Sequence, residues 1–160
     1  MRVIFIGSVN FSKSMLEKLI KCKANIVGVC AKKKSKFNSD FYDIGKISIK
    51  KKIPTHYSSN INSVKTYNWI KKKNPDVIFC LGWSHLIKKK LLKLCSGGIV
   101  GFHPASLPMN RGRHPIIWAL VLGLKETSST FFFMKIKADA GNIISQKKIF
   151  INKKDNADSL

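Results

Sequence analysis

The stretch that decides the fold is residues 3–20, VIFIGSVNFSKSMLEKLI. Its first four residues form a continuous apolar run that ends at Gly7, and apolar residues then recur at helical spacing as far as Ile20. A short continuous apolar run is typical of a strand that is buried on both faces. The pattern therefore predicts a strand, a tight turn and an amphipathic helix, with the turn capped by Ser8, Asn10 or Ser12.

Similar apolar runs recur along the chain and alternate with helical patterns. The runs lie at residues 25–31, 77–81 and 99–102, a short extended piece is expected at 53–55, and the helical patterns lie at 42–50, 64–73 and 86–94. Repeated strand–helix–strand units predict an α/β fold, a Rossmann-like doubly wound and mostly parallel sheet with helices on both faces.

The C-terminal part follows a different pattern. A helix from Pro115 to Leu122 is expected to place Trp118, Ala119 and Leu122 on one face, with Gly123 ending it. Two extended segments follow at 128–136 and 142–151, and residues 155–160 resemble the start of a further helix.

The chain is strongly basic, with 30 Lys+Arg against 8 Asp+Glu and a net charge of +22. A hydrophobic fraction of 44% excludes a disordered chain, so this charge lies on a folded surface. Nearly all of the basic residues are lysines, whereas phosphate recognition favours the bidentate fork of arginine. This imbalance favours a solvated surface, and an acidic partner stays open as the alternative.

The cysteines and the apolar segments exclude other classes. None of the four cysteines forms a C-x-x-C pair, so they are interpreted as buried free thiols, and no metal site is expected. The longest apolar stretch, residues 116–124, is too short to span a bilayer. The expectation is a cytoplasmic protein with no membrane partner.

Two residues stand out as candidates for chemistry. His103 follows an apolar strand and precedes Pro104, which favours an extended backbone and places the imidazole at the carboxyl edge of the sheet. Asp139, one of few acids, lies in an Ala-Asp-Ala-Gly turn between two extended segments. If that turn folds back, the carboxylate can orient the imidazole for acid–base work. A structural histidine and a turn-capping aspartate are the alternatives.

Four segments in order resemble the formyltransferase family that uses N10-formyltetrahydrofolate. They are VIFIGSVNFSKSMLEKL (3–19), NPDVIFCLGWSHLI (74–87), FHPASLPMNRGRHPIIWAL (102–120) and KADAGNIISQ (137–146). The resemblance covers nearly the whole chain. It implies a single formyltransferase catalytic domain over residues 1–160, truncated at its C-terminal end, and a reaction that needs N10-formyltetrahydrofolate as formyl donor.

The resemblance also implies roles for individual residues. His103 would donate a hydrogen bond to the oxyanion of the tetrahedral intermediate and carry protons, while Asp139 orients it. The family has an asparagine where this chain has Gly101. Asn110 in the following loop is a candidate substitute, and a subgroup of the family with G-F-H at this position is the alternative. The donor would contact Trp83, Leu86, Ile87, Ala105, Ser106, Leu107 and Pro108. The acceptor would contact Arg111, Arg113 and Asn10.

The acceptor amine is inferred from two segments. RGRHPIIW (111–118) and SKFNSDFYD (35–43) resemble sugar-nucleotide formyltransferases, which implies a nucleotide-linked amino sugar as the small-molecule substrate. Methionyl-tRNA is an alternative because lysine contacts to phosphates would use the basic surface. An inactive member that acts as a binding protein is a third interpretation, given Gly101. A homodimer is a further expectation.

Overall fold

The computed structural model describes residues 1–35 and 38–160, in which seven strands and five helices occur. The strands are β1 (Arg2–Ile6), β2 (Asn25–Ala31), β3 (Thr55–Tyr57), β4 (Val77–Cys80), β5 (Ile99–His103), β6 (Glu126–Phe133) and β7 (Ile143–Phe150). The helices are α1 (Asn10–Lys21), α2 (Gly45–Lys50), α3 (Val64–Lys72), α4 (Lys89–Leu92) and α5 (Pro115–Val121). The chain divides into two compact units, Met1–Val100 and Gly101–Leu160.

The first unit is a parallel sheet with the strand order β3-β2-β1-β4. The order reverses between β1 and β4, since β2 and β3 lie on one side of β1 and β4 lies on the other. Right-handed crossovers then place α1 and α3 on opposite faces of the sheet. The predicted α/β fold, Rossmann-like with a mostly parallel sheet, is confirmed.

The core of this unit is built around β1. Ile4, Phe5 and Ile6 are fully buried, because β1 pairs with a strand on each side and helices cover its faces. Leu16 of α1 and Ile70 of α3 are buried as well. Each such side chain contributes about 1.5–3 kcal/mol on leaving water, so the apolar run of β1 anchors the unit.

The turn after β1 depends on Ser12. The Ser12 hydroxyl accepts hydrogen bonds from the backbone N–H groups of Ser8 (3.1 Å) and Val9 (3.2 Å), and it donates to the carbonyl of Leu81 (2.6 Å). Of the three residues expected to cap this turn, Ser12 makes these bonds. Gly7 allows the approach, since a Cβ there would lie 2.5 Å from the Ser12 side chain.

The second unit contains the end of β5, helix α5 and an antiparallel hairpin of β6 and β7. The hairpin confirms the two predicted extended segments. Helix α5 ends before Gly123, whose φ of +60° is a conformation that glycine adopts readily. Only Ala119 of the expected apolar face is buried, whereas Trp118 and Leu122 are exposed, so that face is not covered as predicted.

Other local expectations were wrong in detail. Helix α4 is four residues long rather than nine, and the like charges of Lys89 and Lys93 at i,i+4 disfavour its extension. Residues 155–160 form turns instead of a helix, because the side chains of Asp155 and Asn156 accept local backbone N–H groups. Cys22 is exposed rather than buried. In the part of the chain that the structure describes, no helix is both long and apolar enough to cross a membrane.

Replacing Ser12 by alanine removes a buried hydroxyl together with the three hydrogen bonds described above. We expect the free energy of unfolding, measured by urea denaturation, to fall by about 1–3 kcal/mol. Ser14→Ala is the matched control, because Ser14 lies on the exposed side of the same helix and makes one 3.4 Å bond to Asn10. Equal losses in the two variants would contradict the role given to Ser12.

Candidate active site

His103 is the last residue of β5 and its side chain is only 7% exposed. Its Nε2 lies 2.9 Å from the backbone carbonyl oxygen of Asn110. A carbonyl oxygen can only accept, so Nε2 carries the hydrogen and donates it. The neutral ring therefore has its lone pair on Nδ1.

Asp139 faces this lone pair. The distance from Asp139 Oδ1 to His103 Nδ1 is 4.0 Å, and Asp139 Oδ2 accepts a hydrogen bond from the backbone N–H of Gly112 (3.1 Å). Asp139 has a φ of +51°, a left-handed conformation that aspartate tolerates better than most residues. The structure thus brings together the two residues that the sequence singled out.

The loop of residues 109–113 contacts both members of this pair. The Asn110 carbonyl binds His103, and the Gly112 N–H binds Asp139. Both residues have positive φ, +54° for Asn110 and +111° for Gly112. The side chain of Asn110 is exposed, so its contact with His103 is made by the main chain, which the sequence did not predict. Arg111 and Arg113 flank Gly112 and are exposed.

Gly101 lies two residues before His103 in the same strand. A Cβ at this position would lie 2.9 Å from Met134 Cγ and 3.1 Å from Phe132 Cζ. An asparagine could enter only if these side chains moved. The place of the family asparagine is therefore filled by apolar atoms of the same unit.

The sequence of this chain matches a known protein family. The model of the family described as Formyl transferase matches residues 1–160. The chain belongs to the formyl transferase family.

Two curated relatives of this chain have different names. A methionyl-tRNA formyltransferase of Thermotoga neapolitana is 31% identical over 100% of this chain and 52% of its own length. The bifunctional polymyxin resistance protein ArnA of Wigglesworthia glossinidia brevipalpis is 38% identical over 75% of this chain and 18% of its own length. The chain thus spans about half or less of the length of these relatives.

Solved structures show the same fold. A phosphoribosylglycinamide formyltransferase from Bacillus halodurans has a TM-score of 0.82 at 21% identity, covering 98% of this chain and 83% of that one. A formyltetrahydrofolate deformylase from Pseudomonas syringae has a TM-score of 0.78 at 17% identity, covering 99% of this chain and 54% of that one. At these identities the likeness is one of fold.

In this formyl transferase chain, the loop after His103 is held by polar side chains of the hairpin, which we call the donor ladder. Thr130 Oγ1 donates to the carbonyl of Ala105 (2.7 Å), and Gln146 Nε2 donates to Leu107 O (3.0 Å) and to Thr130 Oγ1 (2.9 Å). Thr127 and Ser128 add bonds to Pro104 O and Ser106 Oγ. These bonds fix the segment that the family resemblance assigns to the formyl donor.

Sequence reasoning missed the donor ladder. Polar residues on an antiparallel strand normally indicate a solvated face, and the sequence gives no direct sign that this face meets a loop. The available signal is the run TSST at 127–130, four small polar residues without a charge on a predicted strand. Three of the four, Thr127, Ser128 and Thr130, are buried.

The predicted donor-binding residues divide between the two units. In the second unit Ala105 and Leu107 are buried, Ser106 is half-buried and Pro108 is exposed. Contact with a ligand would therefore come from Ser106, Pro108 and main-chain atoms of this segment. The peptide bond between Leu107 and Pro108 is cis.

The remaining predicted residues belong to the first unit. Leu86 is exposed, Ile87 is buried, and Trp83 is half-buried beneath the ammonium of Lys32. Asn10 is exposed at the start of α1. In the segment 35–43, Lys36 and Phe37 lie outside the described residues, and the side chains of Asn38 and Ser84 exchange two hydrogen bonds of 2.8 and 3.0 Å.

The buried cysteines are unsuited to nucleophilic chemistry. Burial raises the pKa of Cys80 to about 12 and raises that of Cys30 still further, with the neighbouring Cys80 adding to the effect. Both groups are protonated thiols at neutral pH, and the thiolate is the nucleophilic form. The reactive candidates of the second unit remain His103 and Asp139.

The donor ladder can be tested at Thr130, which is fully buried. Thr130→Val keeps the shape of the side chain but removes the hydroxyl that donates to Ala105 and accepts from Gln146. We expect the free energy of unfolding to fall by about 1–3 kcal/mol, measured by urea denaturation. Ser129→Ala on the same strand, outside the ladder, is the control with an expected change within about 0.5 kcal/mol. A Thr130→Val variant as stable as the control would rule out the ladder as a support of the loop.

Proposed function

We propose that this chain transfers a formyl group from N10-formyltetrahydrofolate to the primary amine of a nucleotide-linked amino sugar. Family membership supports formyl transfer. The observation that carries the proposal is the arrangement of His103 and Asp139, two proton acceptors held by the loop 109–113, which also carries two arginines. The resemblance of residues 111–118 to sugar-nucleotide enzymes supports the acceptor.

The pair of His103 and Asp139 suits an amine nucleophile. Nδ1 of His103 and Oδ1 of Asp139 are both acceptors, and their separation of 4.0 Å is too long for a direct hydrogen bond. One amine nitrogen can therefore donate to both atoms. Formyl transfer requires the amine to be neutral when it attacks, and His103 Nδ1 can take up its proton while the adjacent carboxylate stabilises the resulting imidazolium.

We propose different tasks for the two ring nitrogens. Nε2–H is held by the Asn110 carbonyl, so it would have to leave that bond before it could donate to an oxyanion. Nδ1 faces Asp139 and is ready to accept a proton. Proton transfer at Nδ1 is therefore the primary role that we propose for His103.

The formyl donor supplies the carbon that the amine attacks. In the second unit, the residues that would hold it are Ser106 and Pro108, on the segment that the donor ladder fixes. Their half-buried and exposed positions fit a ligand that lies along the loop.

Arg111 and Arg113 would hold the diphosphate of the acceptor. Guanidinium groups form charge-assisted, bidentate hydrogen bonds with phosphate oxygens. The two arginines flank Gly112, the residue whose N–H holds Asp139. Binding of the diphosphate would therefore act on the loop that positions the catalytic pair.

Methionyl-tRNA is the second candidate acceptor. A methionyl-tRNA formyltransferase matches the full length of this chain, and the net charge of +22 favours a polyanion. A catalytically inactive binding protein is the third candidate, and the absence of turnover with every acceptor would support it.

The role of His103 can be tested with a matched pair of histidine variants. We expect His103→Asn to lower kcat/KM for formyl transfer by about 10²–10⁴-fold, because the proton acceptor is lost. His114→Asn is the control, since His114 is exposed at the start of α5 and asparagine tolerates its positive φ. The assay follows consumption of N10-formyltetrahydrofolate with a panel of amino-sugar nucleotides. Turnover unchanged in His103→Asn would refute the proposed mechanism.

Salt dependence distinguishes the two acceptors. A tRNA complex with six to ten phosphate contacts should lose about 10³–10⁵-fold in affinity between 50 and 200 mM salt. A nucleotide sugar carries few charges, so its affinity should fall far less over that range. A steep loss for tRNA, together with turnover of methionyl-tRNA and none of the sugar nucleotides, would reject the amino-sugar proposal.

A further inference from the structure

Lys32 is a buried lysine in the first unit. It follows β2 directly and is only 9% exposed. Among residues 1–35 and 38–160, no carboxylate forms an ion pair within 4.0 Å of its ammonium. An ammonium that leaves water without an anionic partner is unfavourable, and burial accordingly lowers the pKa of Lys32.

The two described side chains that contact this ammonium carry no negative charge. Lys32 Nζ lies 3.3 Å from Nδ1 of His85 and 4.7 Å from the ring centre of Trp83. An ammonium can only donate, so Nδ1 of His85 is the acceptor and is unprotonated. A lone pair and an aromatic face stabilise a cation, but they do not neutralise it.

The indole N–H of Trp83 is a second hydrogen-bond donor near Lys32. Nε1 of Trp83 is fully buried and has no hydrogen-bond partner among the described residues. Buried indole N–H groups usually have one, because an unmade hydrogen bond costs about 1–3 kcal/mol. The ammonium of Lys32 lies over the ring that carries this N–H. Two donors from different strand ends thus lie close to each other, and no described residue offers them an anionic acceptor.

Lys32, Trp83 and His85 lie at an edge of the sheet where α/β proteins commonly bind ligands. Lys32 follows the carboxyl end of β2, and Trp83 and His85 lie in the loop after β4. These two strand ends flank the carboxyl end of β1. The strand order reverses between β1 and β4, and open α/β sheets bind ligands outside such a reversal.

We infer that Lys32, together with the indole N–H of Trp83 and with His85 beside it, binds a phosphoryl oxyanion in the first unit. A phosphoryl group offers three acceptor oxygens, enough for both donors, and it neutralises the ammonium. The inference goes beyond the proposed function and does not rest on it. It places Trp83 with a phosphoryl group, whereas the family resemblance had placed it with the formyl donor.

The test is the binding of inorganic pyrophosphate to the chain, measured by titration calorimetry without a formyl donor. We expect Lys32→Met to weaken binding by at least about tenfold, the loss typical of a charge-assisted hydrogen bond. Lys33→Met is the matched control, because Lys33 is adjacent, exposed and also lies over an aromatic ring, that of Tyr57 at 5.3 Å. It should weaken binding by less than about twofold, in keeping with an exposed charge.

Trp83→Phe provides a second variant, since it keeps an aromatic ring at this position while it removes the N–H together with one ring of the indole. We expect weaker pyrophosphate binding than in the unchanged chain, with a smaller loss than in Lys32→Met. Urea denaturation of each variant shows whether it is folded under the conditions of the titration. Removal of an unpaired buried charge should not destabilise Lys32→Met.

Several outcomes would overturn the inference. These are no saturable binding of pyrophosphate to the unchanged chain, equal binding in Lys32→Met and the unchanged chain, or equal losses in Lys32→Met and Lys33→Met. Loss of 5-formyltetrahydrofolate binding in Lys32→Met with pyrophosphate binding retained would assign the site to the carboxylates of the donor instead. Pyrophosphate binding that depends on Lys32 in a chain without formyl transfer would refute the proposed function and leave this inference standing.

Discussion

The candidate site depends on one hydrogen bond, from Nε2 of His103 to the main-chain carbonyl of Asn110. This bond fixes the hydrogen on Nε2 and so leaves the lone pair on Nδ1, facing Asp139. It also binds the loop 109–113 to the end of β5, and the same loop holds Asp139 through the N–H of Gly112. A single loop therefore determines both the tautomer of the base and the position of the carboxylate.

The hairpin supports this arrangement from the other side of the loop. In the donor ladder, the Gln146 amide donates a hydrogen bond to the Thr130 hydroxyl, and this hydroxyl donates one to the carbonyl of Ala105. The two bonds form a chain that ends at a carbonyl of the loop. Such chains of donors polarise one another and strengthen the individual bonds. The backbone that follows His103 is consequently fixed by side chains of β6 and β7 as well as by its own strand.

Sequence reasoning succeeded where burial alone decides the structure. β1 and β2 were predicted because a strand covered on both faces needs an unbroken apolar run, and the pairing of His103 with Asp139 followed from a strand end and a turn. The link through Asn110 was not predictable, since it depends on a positive φ and uses a main-chain carbonyl that any residue would supply. The donor ladder was missed because polar residues on a strand normally face water, and Thr130 instead meets a loop.

The lysines of this chain differ in how far their side chains are buried. Among residues 1–35 and 38–100, five lysine ammonium groups lie over aromatic rings, those of Lys13, Lys32, Lys33, Lys73 and Lys90. Of these only Lys32 is buried, while the others keep access to water and need no anion. A solvated lysine adds to the general potential that attracts anions, whereas a buried one without a carboxylate specifies where an anion is held. The net charge of +22 therefore says little about function, and one residue that contributes to it says much more.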